Sequence, residues 1–214
     1  MSDPIGILGG TFDPVHFGHL RLAEEAFEKL GLAGVIWSPA GKTAHRDQPQ
    51  AEAAHRVAMV KLAIDDNEDF SLDSTEAESD EPSYTVPMLE RMRKEYDDAP
   101  LVLLLGADAF LGLPSWHRWE DIFKLAHIAV FTRPGHELEL DAMSPLLGKQ
   151  FSKRATVDPQ QLQEVPSGFV IPSLLTPLDI SATTIRTQLA HGGSPRYLLP
   201  ESVLDYIQSN NLYR

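Results

Sequence analysis

Cysteine is absent from the sequence, which excludes disulfides, thiolate metal ligands and a cysteine nucleophile and accords with a reducing cytoplasm. No apolar run approaches the roughly 20 residues that a bilayer-crossing helix needs, so no membrane partner is expected. Met1 to Asp3 lead straight into strand-like residues, without the basic cap and apolar core of a signal peptide, and a cytoplasmic location is the expectation. Basic residues are in deficit: 18 Lys and Arg against 31 Asp and Glu leave a formal charge of −13. That charge repels the backbone phosphates of DNA and RNA, so nucleic acid is not expected as a partner. An acidic chain can still hold a polyanionic nucleotide where a few His, Lys, Arg and backbone N–H groups gather in one pocket. Neither a GxxxxGK[ST] P-loop nor a GxGxxG dinucleotide fingerprint occurs.

What is present is an alternation of short apolar runs with helical stripes. The 214 residues fit one compact domain. Ile5 to Leu8 read as a strand ending in Gly9–Gly10, and Leu20, Ala23, Phe27 and Leu30 recur at helical spacing up to Gly31. Further strands are expected at Val35–Trp37, Phe70–Leu72, Leu101–Leu105, Ile128–Phe131 and Phe169–Ile171. Helices are expected over Val57–Ile64 and on the Val86, Leu89, Met92 stripe. Leu101–Leu105 is apolar throughout, as in a strand buried on both faces of a parallel sheet. Ser181–His191 and Glu201–Ile207 read as two helices separated by Gly192–Gly193, giving a C-terminal helical portion over about 181–214. Glu137–Ser167 lacks periodicity and reads as variable surface. The expected architecture is α/β, with a parallel sheet whose ligands sit at the carboxyl ends of its strands.

Two segments carry the chemistry. GGTFDPVHFGH, Gly9–His19, stands where the first strand turns into the first helix. Glycine permits close backbone approach, and a helix N-terminus offers free N–H groups and a favourable dipole to an anion. His16 and His19, three apart, can aim both imidazoles at one phosphate chain. ISATTIR, Ile180–Arg186, reads alone as an ordinary capped helix with Ser181 at the N-cap and Thr184 at N3. Beside the first segment it becomes a second helix N-terminus with two hydroxyls and a guanidinium for the same phosphates.

These HxGH and ISxTxxR elements resemble those of a nucleotidyltransferase superfamily. EPSYTVPML at Glu81–Leu89, LLLGADAFLGLPSW at Leu103–Trp116 and FTRPG at Phe131–Gly135 resemble the bacterial nicotinate-nucleotide adenylyltransferases in particular. The resemblance covers most of the chain and implies a Rossmann-like, doubly wound sheet. It implies ATP contacts from Gly9, Gly10, Thr11, Phe12, His16, His19, Gly106, Asp108, Ile180, Ser181, Thr184 and Arg186, with His16, His19 and Arg186 catalytic. Asp13, His45, Arg46, Tyr84, Thr85, Trp116 and Arg133 would meet the acceptor, nicotinate mononucleotide: Thr85 at its pyridine carboxylate, Trp116 stacked on its ring. Asp108 would take the ATP ribose hydroxyls. Lys42, His45 and Arg46 would reach phosphates from the Gly41–Asp47 loop. This chain departs from the family where KTAHR replaces a loop with two prolines, where Val86–Pro87 replace an Asp-Thr pair and where Ala182 replaces a serine.

The reaction so implied is attack of the acceptor's 5′-phosphate on the α-phosphorus of ATP, giving nicotinate adenine dinucleotide and pyrophosphate. No metal-binding residue set stands out, and Mg²⁺ is expected to arrive with ATP. A sister transferase using a pantetheine phosphate or making a CDP-alcohol would share the histidines but give no reason for Tyr84–Thr85 and Trp116. A non-catalytic nucleotide sensor would tolerate loss of either histidine. Class I aminoacyl-tRNA synthetases share a related HxGH element, but length and charge oppose tRNA. Acid or amide preference at the pyridine ring and the oligomeric state remain open at this stage.

Overall fold

The computed structural model describes residues 2–43, 48–132, 138–176 and 178–214. In chain order the elements are β1 (Ile5–Gly10), α1 (Phe17–Leu30), β2 (Gly34–Pro39), β3 (Lys42–Thr43), α2 (Ala53–Ile64), β4 (Phe70–Leu72), α3 (Thr75–Glu78), β5 (Pro82–Ser83) and α4 (Thr85–Tyr96). There follow β6 (Leu101–Gly106), α5 (Ala107–Leu111), α6 (Ile122–Leu125), β7 (His127–Thr132), α7 (Pro145–Arg154), β8 (Val170–Leu174), α8 (Ala182–Ala190) and α9 (Glu201–Ser209), with short 3₁₀ turns between some of them. Strands alternate with helices as the apolar runs predict.

Six strands form one parallel sheet in the order β4-β2-β1-β6-β7-β8, the doubly wound Rossmann-like arrangement, and β3 pairs with β5 in a small separate ladder. The order reverses direction between β1 and β6, and in open parallel sheets ligands sit outside the carboxyl ends at such a reversal. β1 ends at Gly10 and β6 at Gly106.

The chain divides into two compact units. One comprises Met1–Leu8, Ala23–Val35 and Tyr84–Pro177. In it the start of β1 pairs with β6 (Ile5 opposite Leu101), β6 with β7 (Val102 opposite His127) and β7 with β8 (Ile128 opposite Val170), all parallel. Leu101–Leu105 and Ile128–Phe131 are buried throughout, which is why the sequence there runs apolar without alternation. Val86, Leu89 and Met92 are the buried stripe of α4. The other unit comprises Gly9–Leu22, Ile36–Ser83 and Leu178–Arg214, and includes both segments singled out for chemistry. There α2 and α9 meet through a His55 Nδ1 to Tyr206 hydroxyl contact of 2.9 Å.

One expectation needs correction. The 138–167 stretch is not merely surface: α7 starts on Ser144, whose hydroxyl accepts the Leu147 N–H at 3.3 Å, and Leu147 and Leu162 are fully buried. α7 and the 3₁₀ turn at Pro159–Gln163 each bury a single apolar residue, too few to create a periodic signal. The inner face of α1 also includes a carboxylate. Glu25, 1% exposed, accepts the Thr176 N–H at 3.0 Å and the Lys29 ammonium at 2.6 Å.

Candidate active site

The loop after β1 is shaped by ring packing. A Cβ on Gly10 would stand 3.0 Å from the Phe12 ring, so only glycine fits without displacing it. Phe12 holds φ at +51°, a region that disfavours side chains. It is kept there by burial, with its ring 5.1 Å from that of His19 and 5.4 Å from that of Trp37. The His16 and His19 rings stack, centroids 3.7 Å apart and planes 26° from parallel, so the two imidazoles do fall on one side of the helix start. Gly18 makes this possible: a Cβ there would lie 3.0 Å from the His16 ring.

The His16 backbone N–H donates to His19 Nδ1 at 3.3 Å. An accepting Nδ1 puts the proton of neutral His19 on Nε2 and makes that nitrogen a donor. Burial lowers the His16 pKa to about 4, and burial with repulsion from His16 holds His19 well below its ordinary range. Both rings are therefore neutral at pH 7 in the ligand-free protein.

The second segment begins α8 as its sequence predicts. Ser181 Oγ accepts the Thr184 N–H at 3.2 Å and meets the Thr184 hydroxyl at 2.8 Å. The segment reaches the first one directly. Arg186 donates an Nη1–H to the Asp13 carbonyl at 2.6 Å, and a Cβ on Gly18 would lie 3.6 Å from the Ile180 carbonyl oxygen. Arg186 Nε is buried without a hydrogen-bond partner among the described residues.

The unit formed around β6 holds another group of the expected residues. Gly106 ends β6, and a Cβ there would meet nothing within 4 Å, so packing does not demand this glycine. Asp108 is exposed in the first turn of α5. Tyr84 is the N-cap of α4 and Thr85 its first residue, whose N–H belongs to the set a helix leaves unpaired by its own backbone. The Tyr84 ring lies 4.9 Å from that of His117, beside the half-buried Trp116, so the fold brings these two stretches together. In the other unit, Lys42 is engaged with Asp80, at 2.9 Å to its carbonyl and 3.1 Å to its carboxylate. His45, Arg46 and Arg133 lie outside the described residues.

Residues 7–188 match the family described as cytidylyltransferase-like. The chain is 54% identical to the probable nicotinate-nucleotide adenylyltransferase of Dechloromonas aromatica, over 100% of this chain and 99% of that one. This chain belongs to the nicotinate-nucleotide adenylyltransferase family. The Aeromonas hydrophila relative of the same name is 44% identical over 100% and 99% of the two chains. Among solved structures, Plasmodium falciparum nicotinic acid mononucleotide adenylyltransferase complexed with NaAD superposes with a TM-score of 0.74 over 99% and 98% of the two chains. At 16% identity that likeness is one of fold.

Asp13 is 5% exposed and its carboxylate is directed into the chain itself. It accepts the Gln50 N–H at 2.8 Å, the Ala51 N–H at 3.1 Å and the Tyr213 O–H at 2.7 Å. Arg56, 1% exposed, donates to the carbonyls of Thr11, Gly41 and Ala51. Sequence reading did not find Arg56 or Tyr213. No local pattern points to them, because their partners lie up to 200 residues away in the chain. Among the described residues, no helix is long and apolar enough to cross a membrane.

Proposed function

We propose that this chain transfers the adenylyl group of ATP to the 5′-phosphate of nicotinate mononucleotide, forming nicotinate adenine dinucleotide and releasing pyrophosphate. The observation that carries the reading is the meeting of Gly9–His19 and Ile180–Arg186 in one compact unit, through the Arg186 to Asp13 hydrogen bond. The full-length relatives of that name support the acid as acceptor.

An acceptor phosphate oxygen attacks the α-phosphorus in line. The bond from the α-phosphorus to the bridging oxygen breaks, and pyrophosphate leaves. The nucleophile is already an anion at neutral pH, so no strong base is needed and alignment with charge stabilisation supplies the rate. Arg186 gives fixed positive charge, and the Nε2–H of His19 gives a directed donor. A polyphosphate beside the imidazoles favours their protonated form, so they gain charge as ATP arrives. MgATP is the substrate form. The magnesium arrives with ATP, held mainly by the phosphates and water. Gly9, Gly10, Thr11 and Phe12 are assigned backbone contacts to ATP; the resemblance assigns Asp108 and Gly106 to its ribose. The acceptor takes Tyr84, Thr85, Trp116, His45, Arg46 and Arg133.

Pyrophosphate release measured side by side with nicotinate and nicotinamide mononucleotides tests the reaction. Release with the acid, and slower release with the amide, is expected. No release with either, from folded protein that binds MgATP, would return the reading to a nucleotide sensor. Trp116→Ala should raise the KM for the acceptor roughly fivefold or more, as expected from loss of aromatic stacking on a ring, and leave the KM for ATP near its wild-type value. An unchanged acceptor KM rejects the stacking role.

A further inference from the structure

Arg56 and Asp13 grip the same stretch of backbone with opposite polarity. Asp13 takes the N–H groups of Gln50 and Ala51, while Arg56 Nε–H donates to the Ala51 carbonyl at 3.2 Å. Arg56 also donates to the Thr11 carbonyl at 2.7 Å, two residues before Asp13, and to the Gly41 carbonyl at 3.1 Å. Buried charges of this kind add little net stability over an apolar packing of the same volume, and their clearest effect is to fix geometry.

One further donor completes the arrangement. Tyr213, 9% exposed and with φ at +62°, gives its hydroxyl hydrogen to Asp13 Oδ1. Burial, then the neighbouring carboxylate, push its phenol above the ordinary range, so the group stays a donor. The backbone carbonyl of this same Asp13 is what Arg186 Nη1 holds at 2.6 Å, and the Asp13 carboxylate lies 3.9 Å from that guanidinium. Side chain and main chain of one residue thus join Tyr213 to Arg186. Tyr213 is one of three donors to this carboxylate, and its loss loosens the residue whose carbonyl anchors the guanidinium.

We propose that Tyr213, acting through Asp13, is a positioning residue for Arg186 and so for the phosphates of ATP. This rests on the reading of residues 9–19 and 180–186 as the ATP site. The role differs from plain packing because its effect should appear in ATP affinity rather than in stability alone.

Tyr213→Phe keeps the ring and deletes the hydroxyl. Tyr206→Phe is the matched control: it deletes the hydroxyl that meets His55 between α2 and α9 of the same unit. For wild type and both variants, thermal midpoint, calorimetric affinity for MgATP alone and the KM and kcat of pyrophosphate release are measured. Both variants are expected to lose some thermal stability. Only Tyr213→Phe should weaken MgATP affinity and raise the KM for ATP, by about tenfold or more, the scale of one lost hydrogen bond to a charged acceptor. Its KM for the acceptor should change less. Wild-type MgATP affinity in Tyr213→Phe, or an equal loss in both variants, overturns the inference. If wild type binds MgATP but releases no pyrophosphate, the proposed reaction fails and the affinity comparison still decides the role of Tyr213. Absence of MgATP binding by wild type overturns both.

Discussion

Replacing His19 is expected to lower kcat at least tenfold, and about a hundredfold if its Nε2–H is a preorganised donor to charge developing on the reacting phosphate. The choice of substituent matters. His19 Nδ1 accepts the backbone N–H of His16, so His19→Ala would leave that donor without its acceptor as well as removing the catalytic ring. An unpaired buried N–H costs about 1–3 kcal/mol, enough to blur the kinetic reading with lost stability. His19→Asn retains an acceptor near the position of Nδ1 and removes the donor at Nε2, which separates the two effects. A stable His19→Asn protein that turns over near the wild-type rate would remove His19 from the chemistry. Effects on kcat and kcat/KM should be equal if the contact forms only in the transition state. A rise in the KM for ATP with unchanged kcat would instead make His19 a ground-state phosphate ligand.

How far the sequence revealed this site depends on the range of each interaction. The two motifs were legible because each is a local construction: glycines beside rings, and a capping serine three residues before its partner N–H. β6 and β7 were legible because burial on both faces leaves no polar position to interrupt the run. Three features were not. The resemblance assigns Asp13 to the acceptor and gives no sign that its carboxylate takes donors 37, 38 and 200 residues away. Arg56 occupies an inward position of α2 that an amphipathic pattern would give to an apolar side chain, and its three carbonyl partners explain the exception. The neutral state of the histidines was also hidden. Two imidazoles beside a phosphate site suggest positive charge from sequence, but charge depends on desolvation, which is a property of packing.

That neutral state has a measurable consequence in acid. Well above pH 6.5 the His16 ring is uncharged in both folded and unfolded chains and adds no pH dependence. As the pH falls from 6.5 toward about 4, the unfolded chain binds a proton that the folded chain refuses, so the folded state loses stability progressively. A shift of this size is equivalent to about 3 kcal/mol once the folded pKa is reached, at about 1.4 kcal/mol per unit. His19 acts in the same direction. Urea midpoints at pH 7 and pH 4.5 should therefore differ more for wild type than for His16→Asn, which removes both this group and its repulsion on His19. Equal pH slopes for the two proteins would refute the assigned burial effect. ATP reverses the sign, because polyphosphate charge favours the imidazolium. MgATP binding near pH 6 should take up protons in wild type, seen as a dependence of the calorimetric heat on the ionisation enthalpy of the buffer, and the uptake should shrink in His16→Asn.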